Sequence, residues 1–220
     1  MNFNKVAKNY DSWYSTPFGM HADELEKKLV FKFLGPIKEK NVFDLGCGTG
    51  IYSMELAKRG ARVIGLDSSI EMLRILKRKR DKLKIELILG YAENLPLKNI
   101  SFDSIISITA ICFFNNPKKA IEEMERVVKF NGKIIIGVLN KWSFYSVHKK
   151  LKSIFVETAY KKAKFYSILE LRDQFGHIKW DSTLFALSWM PAWLLKIFAS
   201  FEKYLSKLFK PFGAFIVFET

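Results

Sequence analysis

The segment that most constrains the fold is VFDLGCGTG, residues 42–50, where an apolar stretch ends in an acid and three glycines follow at alternate positions. Such a pattern is typical of a buried strand that turns sharply into a helix. A second apolar run, Arg62 to Leu66, ends at Asp67. Because ligands of parallel sheets bind outside the carboxyl ends of the strands, we expect Asp44 and Asp67 to share one crevice.

The first 140 residues alternate apolar runs with amphipathic segments, which predicts repeated strand–helix units and a parallel sheet. We predict strands near 41–45, 62–66, 84–89, 102–108 and 132–138, and helices near 51–59, 69–81 and 117–129. Pro117 suits the first turn of the last helix, and Asn131 with Gly132 is expected to close it.

Beyond residue 140 this regular alternation is lost. The sequence predicts a short helix over 167–175, a long strand from Ile178 to about Leu187, a helix from Trp193 to Phe209 and a final strand in PFGAFIVFE. There is no internal repeat and no low-complexity linker, so we expect a single domain.

The composition of the chain bears on its cellular compartment and on the kinds of partner it could bind. Two cysteines are too few for a disulfide framework and no leader sequence is evident, which predicts a cytoplasmic protein. The net charge of +14 is expected to reflect a solvated surface rather than nucleic-acid binding. The apolar stretch Leu184 to Phe201 approaches membrane-spanning length, but Pro191 and Lys196 interrupt it, so no span is expected.

The glycine spacing distinguishes between nucleotide-binding motifs. The chain has GxGxG rather than the dinucleotide fingerprint GxGxxG, and Asp44 would repel a pyrophosphate. No lysine followed by serine or threonine closes the loop, which excludes a P-loop. Asp44 suits an ammonium group, while Asp67 can accept both ribose hydroxyls. The ligand indicated is a nucleoside that carries an amino acid tail.

Three segments in this order, VFDLGCGTG, VIGLDSSIEML and YAENLPLKNISFDSIISITAICFF, resemble class I S-adenosylmethionine-dependent methyltransferases of the ubiquinone and menaquinone biosynthesis type. The resemblance implies an α/β, Rossmann-like fold with a seven-stranded, mostly parallel sheet, helices on both faces, an antiparallel last strand and helical lid insertions. It also implies methyl transfer from S-adenosylmethionine to a small, apolar or aromatic acceptor, with S-adenosylhomocysteine as product.

The resemblance assigns roles to individual residues and implies no metal. The cofactor-binding residues that it implies are Asp44, Gly46, Cys47 and Gly48 around the methionine moiety, Asp67 at the ribose, Ser68, Met72, Ala92 and Glu93 around the adenine, Thr109 beneath the methionine end, and Tyr10 and Tyr14 in a cap over the cofactor. Relatives often have an acid where this chain has Tyr91, so the contact to the adenine amino group is expected to fall to Glu93 or to backbone.

The resemblance also divides the domain. It implies an N-terminal helical cap at 1–40, a cofactor-binding core at 41–140 and substrate-covering helices at 141–165 and 189–210. The acceptor is expected under Trp142, Phe144, Tyr145, Trp189 and Trp193. His148 and Tyr145 are weak candidates for catalysis, and the other histidines are His21 and His177. A monomer or a homodimer is expected.

Three alternatives stay open at this point. A nucleic-acid methyltransferase would use the same cofactor core and the basic surface, although no N/D-P-P-Y-type motif follows the fourth strand. A non-catalytic protein could keep the cofactor fold. The helix from Trp193 to Phe209 could rest on a membrane surface, with Lys196, Lys203, Lys207 and Lys210 toward anionic lipid.

Overall fold

One mixed sheet organises the protein. The computed structural model describes residues 3–147 and 163–220, and the strands in those residues are β1 (Asn41–Leu45), β2 (Arg62–Asp67), β3 (Ile85–Leu89), β4 (Phe102–Ile108), β5 (Val128–Leu139), β6 (Lys179–Thr183) and β7 (Phe215–Glu219). Their order in the sheet is β3-β2-β1-β4-β5-β7-β6. β1 pairs in parallel with β2 and β4, and β2 with β3, whereas β6 and β7 are antiparallel. The predicted fold class is confirmed.

The helices in the described residues are α1 (Phe3–Tyr10), α2 (Pro17–Leu34), α3 (Ile51–Lys58), α4 (Ile70–Lys79), α5 (Pro117–Val127), α6 (Ile168–Phe175) and α7 (Ala192–Leu208). Side-chain caps fix three of their starts, because a capping oxygen accepts a backbone N–H that the helix leaves unpaired. Ser69 caps α4, Asn116 caps α5, and Ser167 forms a capping box with Glu170 at α6.

The end of α5 corrects one prediction. The helix does not continue to residue 129: it ends at Val127, and β5 begins at Val128, so that Asn131 and Gly132 lie within the strand. The physical reason is a pair of backbone hydrogen bonds, in which the carbonyls of Arg126 and Val127 accept the N–H groups of Ile100 and Ser101.

The strand predicted from Ile178 to Leu187 is also wrong in length. It covers only β6, because Leu184 adopts a left-handed backbone conformation with a φ of 67°. The Leu184 N–H leaves the ladder and donates to Glu202 Oε1 at 2.5 Å, and the Thr183 hydroxyl donates to the same oxygen at 2.6 Å. A buried carboxylate therefore ends the strand.

Two compact units emerge from the contacts among residues. The first unit consists of residues 3–11 and 34–136, and the second unit of residues 12–33, 137–147 and 163–220. The first has a core of strand residues, in which the Phe43 and Phe102 rings stack with centroids 5.1 Å apart. In the second, Phe18 stacks on Tyr145 at 5.4 Å within a cluster of aromatic and aliphatic side chains. In the described part of the chain, no helix combines the length and the apolar character needed to cross a membrane.

Candidate cofactor site

The glycine loop after β1 lies close to the end of β4. Gly46, Gly48 and Gly50 all have positive φ angles, of 80°, 52° and 87°. A Cβ atom on Gly46 would lie 2.3 Å from Cβ of Ala110, whereas a Cβ on Gly48 would meet nothing within 4 Å. Gly46 is therefore required for close packing, and Gly48 leaves backbone open beside the strand ends.

Asp67 ends β2 and is oriented by backbone donors of the first unit. Its Oδ2 accepts the N–H of Gly48 at 2.9 Å, and its Oδ1 accepts the N–H of Ser69 at 2.8 Å. Burial raises the pKa of this carboxyl, while the N–H groups of Ser69, Gly48 and Ser68 act in the opposite direction. Since each carboxylate oxygen has two lone pairs, both oxygens can still accept a hydroxyl group.

Asp44 lies within β1 and is almost fully buried, with 3% of its surface exposed. Its Oδ2 accepts the Ser53 hydroxyl at 2.5 Å. Burial raises the pKa of Asp44 to about 7; the hydrogen bond from Ser53 lowers it, and the charge of Asp67 raises it further. The charge of Asp67 therefore acts on Asp44, and a cation beside both carboxyl groups would relieve the burial and the repulsion.

The N-terminal helix is fastened to this loop within the first unit. The Thr49 hydroxyl donates to Asp11 Oδ1 at 2.6 Å, and Lys79 donates to Asp11 Oδ2 at 2.8 Å and to the Thr49 carbonyl at 3.1 Å. At the start of α4, Asn4 Oδ1 accepts the Ser69 hydroxyl at 2.6 Å. Tyr10 lies half-buried at the end of α1.

These tethering residues were not identified from the sequence. Asn4, Asp11, Ser53 and Lys79 carry no motif, and only the position of Asp11 directly after Tyr10 could have indicated one of them. Their partners are 9 to 68 residues away along the chain, so short-range patterns contain no signal for them.

The third predicted segment, residues 91–114, lies within the same unit. Ala92 is buried, and Glu93 Oε1 accepts the N–H groups of Asn115 and Asn116 at 2.9 and 3.1 Å. Glu93 thus holds the loop after β4 in this structure, and its contact with an adenine stays a prediction. Thr109 follows β4 with a φ of 52°, unusual for a β-branched residue and typical of functional loops.

The remaining predicted residues differ in exposure. Met72 is buried and Ser68 is exposed.

Burial raises the pKa of the Cys47 thiol well above its usual range and that of Cys112 to about 12, so both thiols are neutral packing groups. Tyr14 and Tyr145 belong to the second unit. His148 lies outside the described residues.

The second unit contains an apolar pocket of about 410 Å³. The residues that line it include Phe144, Tyr145, Leu184, Ala186, Phe198 and Phe212. Trp142, which was also expected to cover the acceptor, and Trp189 and Trp193 do not line this pocket.

Among the buried polar atoms that have no hydrogen-bond partner in the described residues are Nε2 of His21 and Oε2 of Glu202, both in the second unit. Burial lowers the pKa of His21, while the charges of Glu202 and Glu24 oppose that shift. His21 is therefore a neutral imidazole at neutral pH.

Comparisons with known proteins agree with the geometry of the first unit. A family model described as a methyltransferase domain matches residues 43–136. An uncharacterized protein of Methanocaldococcus jannaschii is 36% identical over 193 residues, covering 83% of this chain and 85% of that protein. A demethylmenaquinone methyltransferase of Renibacterium salmoninarum is 34% identical over 142 residues, covering 64% of this chain and 59% of that enzyme. This chain therefore spans less than two thirds of the enzyme's length.

A solved structure is similar across nearly the whole chain. It is a SAM-dependent methyltransferase from Thermotoga maritima, described as a possible histamine N-methyltransferase, with a TM-score of 0.75 and 28% identity. The match covers 99% of this chain and 96% of that one. The similarity thus extends beyond the three sequence motifs to the second unit.

Proposed function

Because this chain belongs to the class I S-adenosylmethionine-dependent methyltransferases, we propose that it methylates a small, apolar or aromatic acceptor. Its cofactor is S-adenosylmethionine. The observation that carries the proposal is the pocket of the second unit, about 410 Å³ in volume and lined mainly by aromatic and aliphatic side chains. A pocket of this size and lining suits a small apolar molecule. The Renibacterium relative, whose name specifies demethylmenaquinone, supports a small acceptor.

Asp44 and Asp67 fit the two ends of this cofactor. We assign the ammonium group of its methionine moiety to Asp44, because a buried carboxyl with a raised pKa gains most from a cation. Asp67 receives the ribose hydroxyls, since its oxygens are already aimed by Gly48 and Ser69. Gly46 and Gly48 present backbone beside the methionine moiety.

The other contacts of the proposed site follow the order of the motifs. Buried Met72 and exposed Ser68 flank the adenine, Ala92 and Glu93 lie at its edge, Thr109 and Cys47 border the methionine moiety, and Tyr10 and Tyr14 contribute to the cap. These assignments rest on the family resemblance and on the position of most of these residues in the first unit.

The bound cofactor supplies a methyl group that its positively charged sulfur already activates. The protein's contribution is then alignment of the acceptor and exclusion of water. A base is needed only where the acceptor must lose a proton. Tyr145, which lines the pocket, and His148 are the sequence-based candidates, and His21, whose Nε2 is buried without a partner in the described residues, adds a third.

The test is methyl transfer from labelled S-adenosylmethionine to a panel of small acceptors, from apolar phenols and quinols to charged amines and RNA. We expect product with the apolar aromatic members. Ala186→Leu narrows the pocket and should raise KM for the acceptor, while the affinity for S-adenosylhomocysteine stays unchanged because that ligand binds the first unit.

Two results would contradict the proposal. Methylation of RNA alone would favour a nucleic-acid enzyme that uses the net charge of +14. Cofactor binding by calorimetry without product from any acceptor would favour a non-catalytic protein of the same fold. Phe198→Ala enlarges the pocket instead, so it should not raise KM by narrowing as Ala186→Leu does. A loss of activity common to both variants would indicate misfolding rather than a change in pocket size.

A further inference from the structure

An apolar stripe of α7 faces solvent. Five residues at helical spacing form it, each between 47% and 74% exposed: Trp193, Ile197, Phe201, Tyr204 and Leu208. We call these five residues the aromatic face. Residues spaced by three and four lie on one side of a helix, and a stripe of this kind normally packs against a core. Here it has no such cover in the described structure.

The opposite side of α7 supplies the packing that holds the helix in place. Leu195 is buried in the apolar cluster of the second unit, and Phe198 packs against the same cluster. Glu202 is also buried, and its Oε1 accepts the Thr183 hydroxyl and the Leu184 N–H. The aromatic face is therefore not needed to attach α7, and it is available for a partner.

Positive charge lines one edge of the aromatic face. Lys196, Lys203 and Lys207 are exposed and spaced by seven and four residues. At 100° per residue they form a row directly beside Trp193 and Tyr204. Across residues 189–212, all of them described, the only acidic residue is Glu202, whose carboxylate is buried. The exposed charges of this segment are thus exclusively positive.

We propose that α7 docks on the surface of an anionic lipid bilayer, with the aromatic face in the boundary between headgroups and acyl chains. The lysine row then meets the lipid phosphates. An apolar helix face flanked by lysines and tryptophans is the chemistry of an interfacial helix. A second copy of this chain fits less well, because the same segment of that copy would offer the lysine row no exposed carboxylate.

The pocket of the second unit adjoins this surface. Phe144, Phe209 and Phe212 line the pocket and are each about half or more exposed. Phe198 and Leu205 of α7 line it as well. An apolar acceptor dissolved in a bilayer would enter the pocket beside the docked helix; this last step rests on the proposed function, whereas the docking itself does not.

The experiment is sedimentation of the full chain with sucrose-loaded vesicles, in the absence of cofactor and acceptor. Vesicles of phosphatidylcholine with about one third phosphatidylglycerol are compared with vesicles of phosphatidylcholine alone. Each lysine near an anionic surface strengthens binding about fivefold. We expect at least tenfold stronger binding to the anionic vesicles, with weakening at high salt and a blue shift of tryptophan fluorescence.

Matched variants locate the contact. Phe201→Ser/Leu208→Ser and Lys203→Glu/Lys207→Glu should each reduce binding at least tenfold. Phe130→Ser, at a side chain 91% exposed in the first unit, and Lys118→Glu/Lys119→Glu on α5 should leave binding unchanged. All of these side chains are exposed, so folding should be preserved, and circular dichroism checks it.

Three outcomes would overturn the docking proposal: no binding of the wild-type chain to anionic vesicles, equal binding by the α7 variants, or a dimer that the α7 variants abolish without any vesicle binding. Because no methyl transfer is measured, failure here leaves the proposed function untouched. Failure of the acceptor panel would in turn leave the vesicle result standing.

Discussion

The two units place different chemistry on the same chain. In the first unit, the candidate site consists of carboxylates held by backbone N–H groups and hydroxyls, as in Asp67 with Gly48 and Ser69. In the second unit, the pocket and the exposed side of α7 consist mainly of aromatic and aliphatic side chains. We expect the first arrangement to select a particular polar ligand through oriented hydrogen bonds, and the second to admit apolar molecules that fit its shape.

This difference suggests which unit would tolerate amino acid substitutions that adapt the protein to a different acceptor. Oriented hydrogen bonds fail when one partner is lost, because the other is left unpaired. Apolar pockets tolerate substitutions that conserve volume. We therefore expect single substitutions of the site residues in the first unit to weaken cofactor binding sharply, and those in the second unit to shift acceptor preference gradually.

The largest expected effect tests how tightly the first unit is packed. Gly46→Ala should lower the free energy of unfolding by about 4 kcal/mol, since it combines an unfavourable φ with overlap against Ala110. Gly48→Ala is the matched control, with a positive φ but open space, and should cost only about 1 kcal/mol. Urea unfolding measures both, and equal losses would show that packing at Ala110 is unimportant.

A comparable test in the second unit concerns the polar contact at the end of β6. Glu202→Ala should destabilise the protein by about 3 kcal/mol, because it leaves the Thr183 hydroxyl and the Leu184 N–H without their acceptor. Glu202→Gln keeps an acceptor oxygen and should lose less than half as much. If both variants were as stable as wild type in urea, the contact would not hold β6 and α7 together.

The next effect concerns the cofactor. Asp67→Ala should weaken binding of S-adenosylhomocysteine by about 1 to 3 kcal/mol through lost hydrogen bonds to the ribose. Asp81→Asn, at an exposed residue of the same unit whose left-handed backbone suits asparagine, is the control. Calorimetry gives both affinities, and an unchanged affinity for Asp67→Ala would refute the ribose contact.

The smallest effect is a dependence on pH. Because burial raises the pKa of Asp44 to about 7, this carboxyl is protonated in the free protein below that pH. An ammonium ligand prefers the ionised form, so affinity for S-adenosylhomocysteine should fall by up to tenfold for each pH unit below about 7. Asp44→Asn should bind more weakly and without this slope. A slope that persists in Asp44→Asn would assign the titration to another group.

The pH dependence that Asp44 gives to the stability of the free protein is opposite in sign to that of cofactor affinity. The folded-state pKa of Asp44 lies above its unfolded value of 3.8, so the unfolded chain loses the proton first as pH rises. The contribution of Asp44 to stability is therefore complete below about pH 4 and declines up to about pH 7. Bound cofactor should reduce this decline, because it stabilises the ionised carboxylate.

In both units the sequence predicts the helices and strands, but not the boundaries that contacts between distant residues set. The positions of Asp44, one residue before the end of β1, and of Asp67, at the end of β2, follow from local patterns of apolar residues and acids, and the positive φ of the loop glycines follows from their spacing. The end of α5 and the short β6 do not, since backbone bonds to Ile100 and Ser101 and a carboxylate 18 residues beyond Leu184 set them. Contacts between distant residues leave no periodic signal.

The same reasoning applies to the site. The carboxylates were predictable because strand ends place them, whereas the tether from Asp11 to Thr49 and Lys79 depends on how α1 packs. The exposure of the aromatic face of α7 was not predictable either. Its spacing indicates a helix, but both sides of that helix are apolar, and only the fold shows which of them is covered.

The division of the chain into units has a consequence for its synthesis on the ribosome. Residues 12–33 belong with residues that follow 136, whereas 3–11 belong with 34–136. The first unit has all of its residues once 136 has been made, but α2 must wait for the last third of the chain. During that interval Phe18, Ala22 and Val30 lack their final neighbours, so this early helix is where a nascent-chain chaperone would be expected to bind.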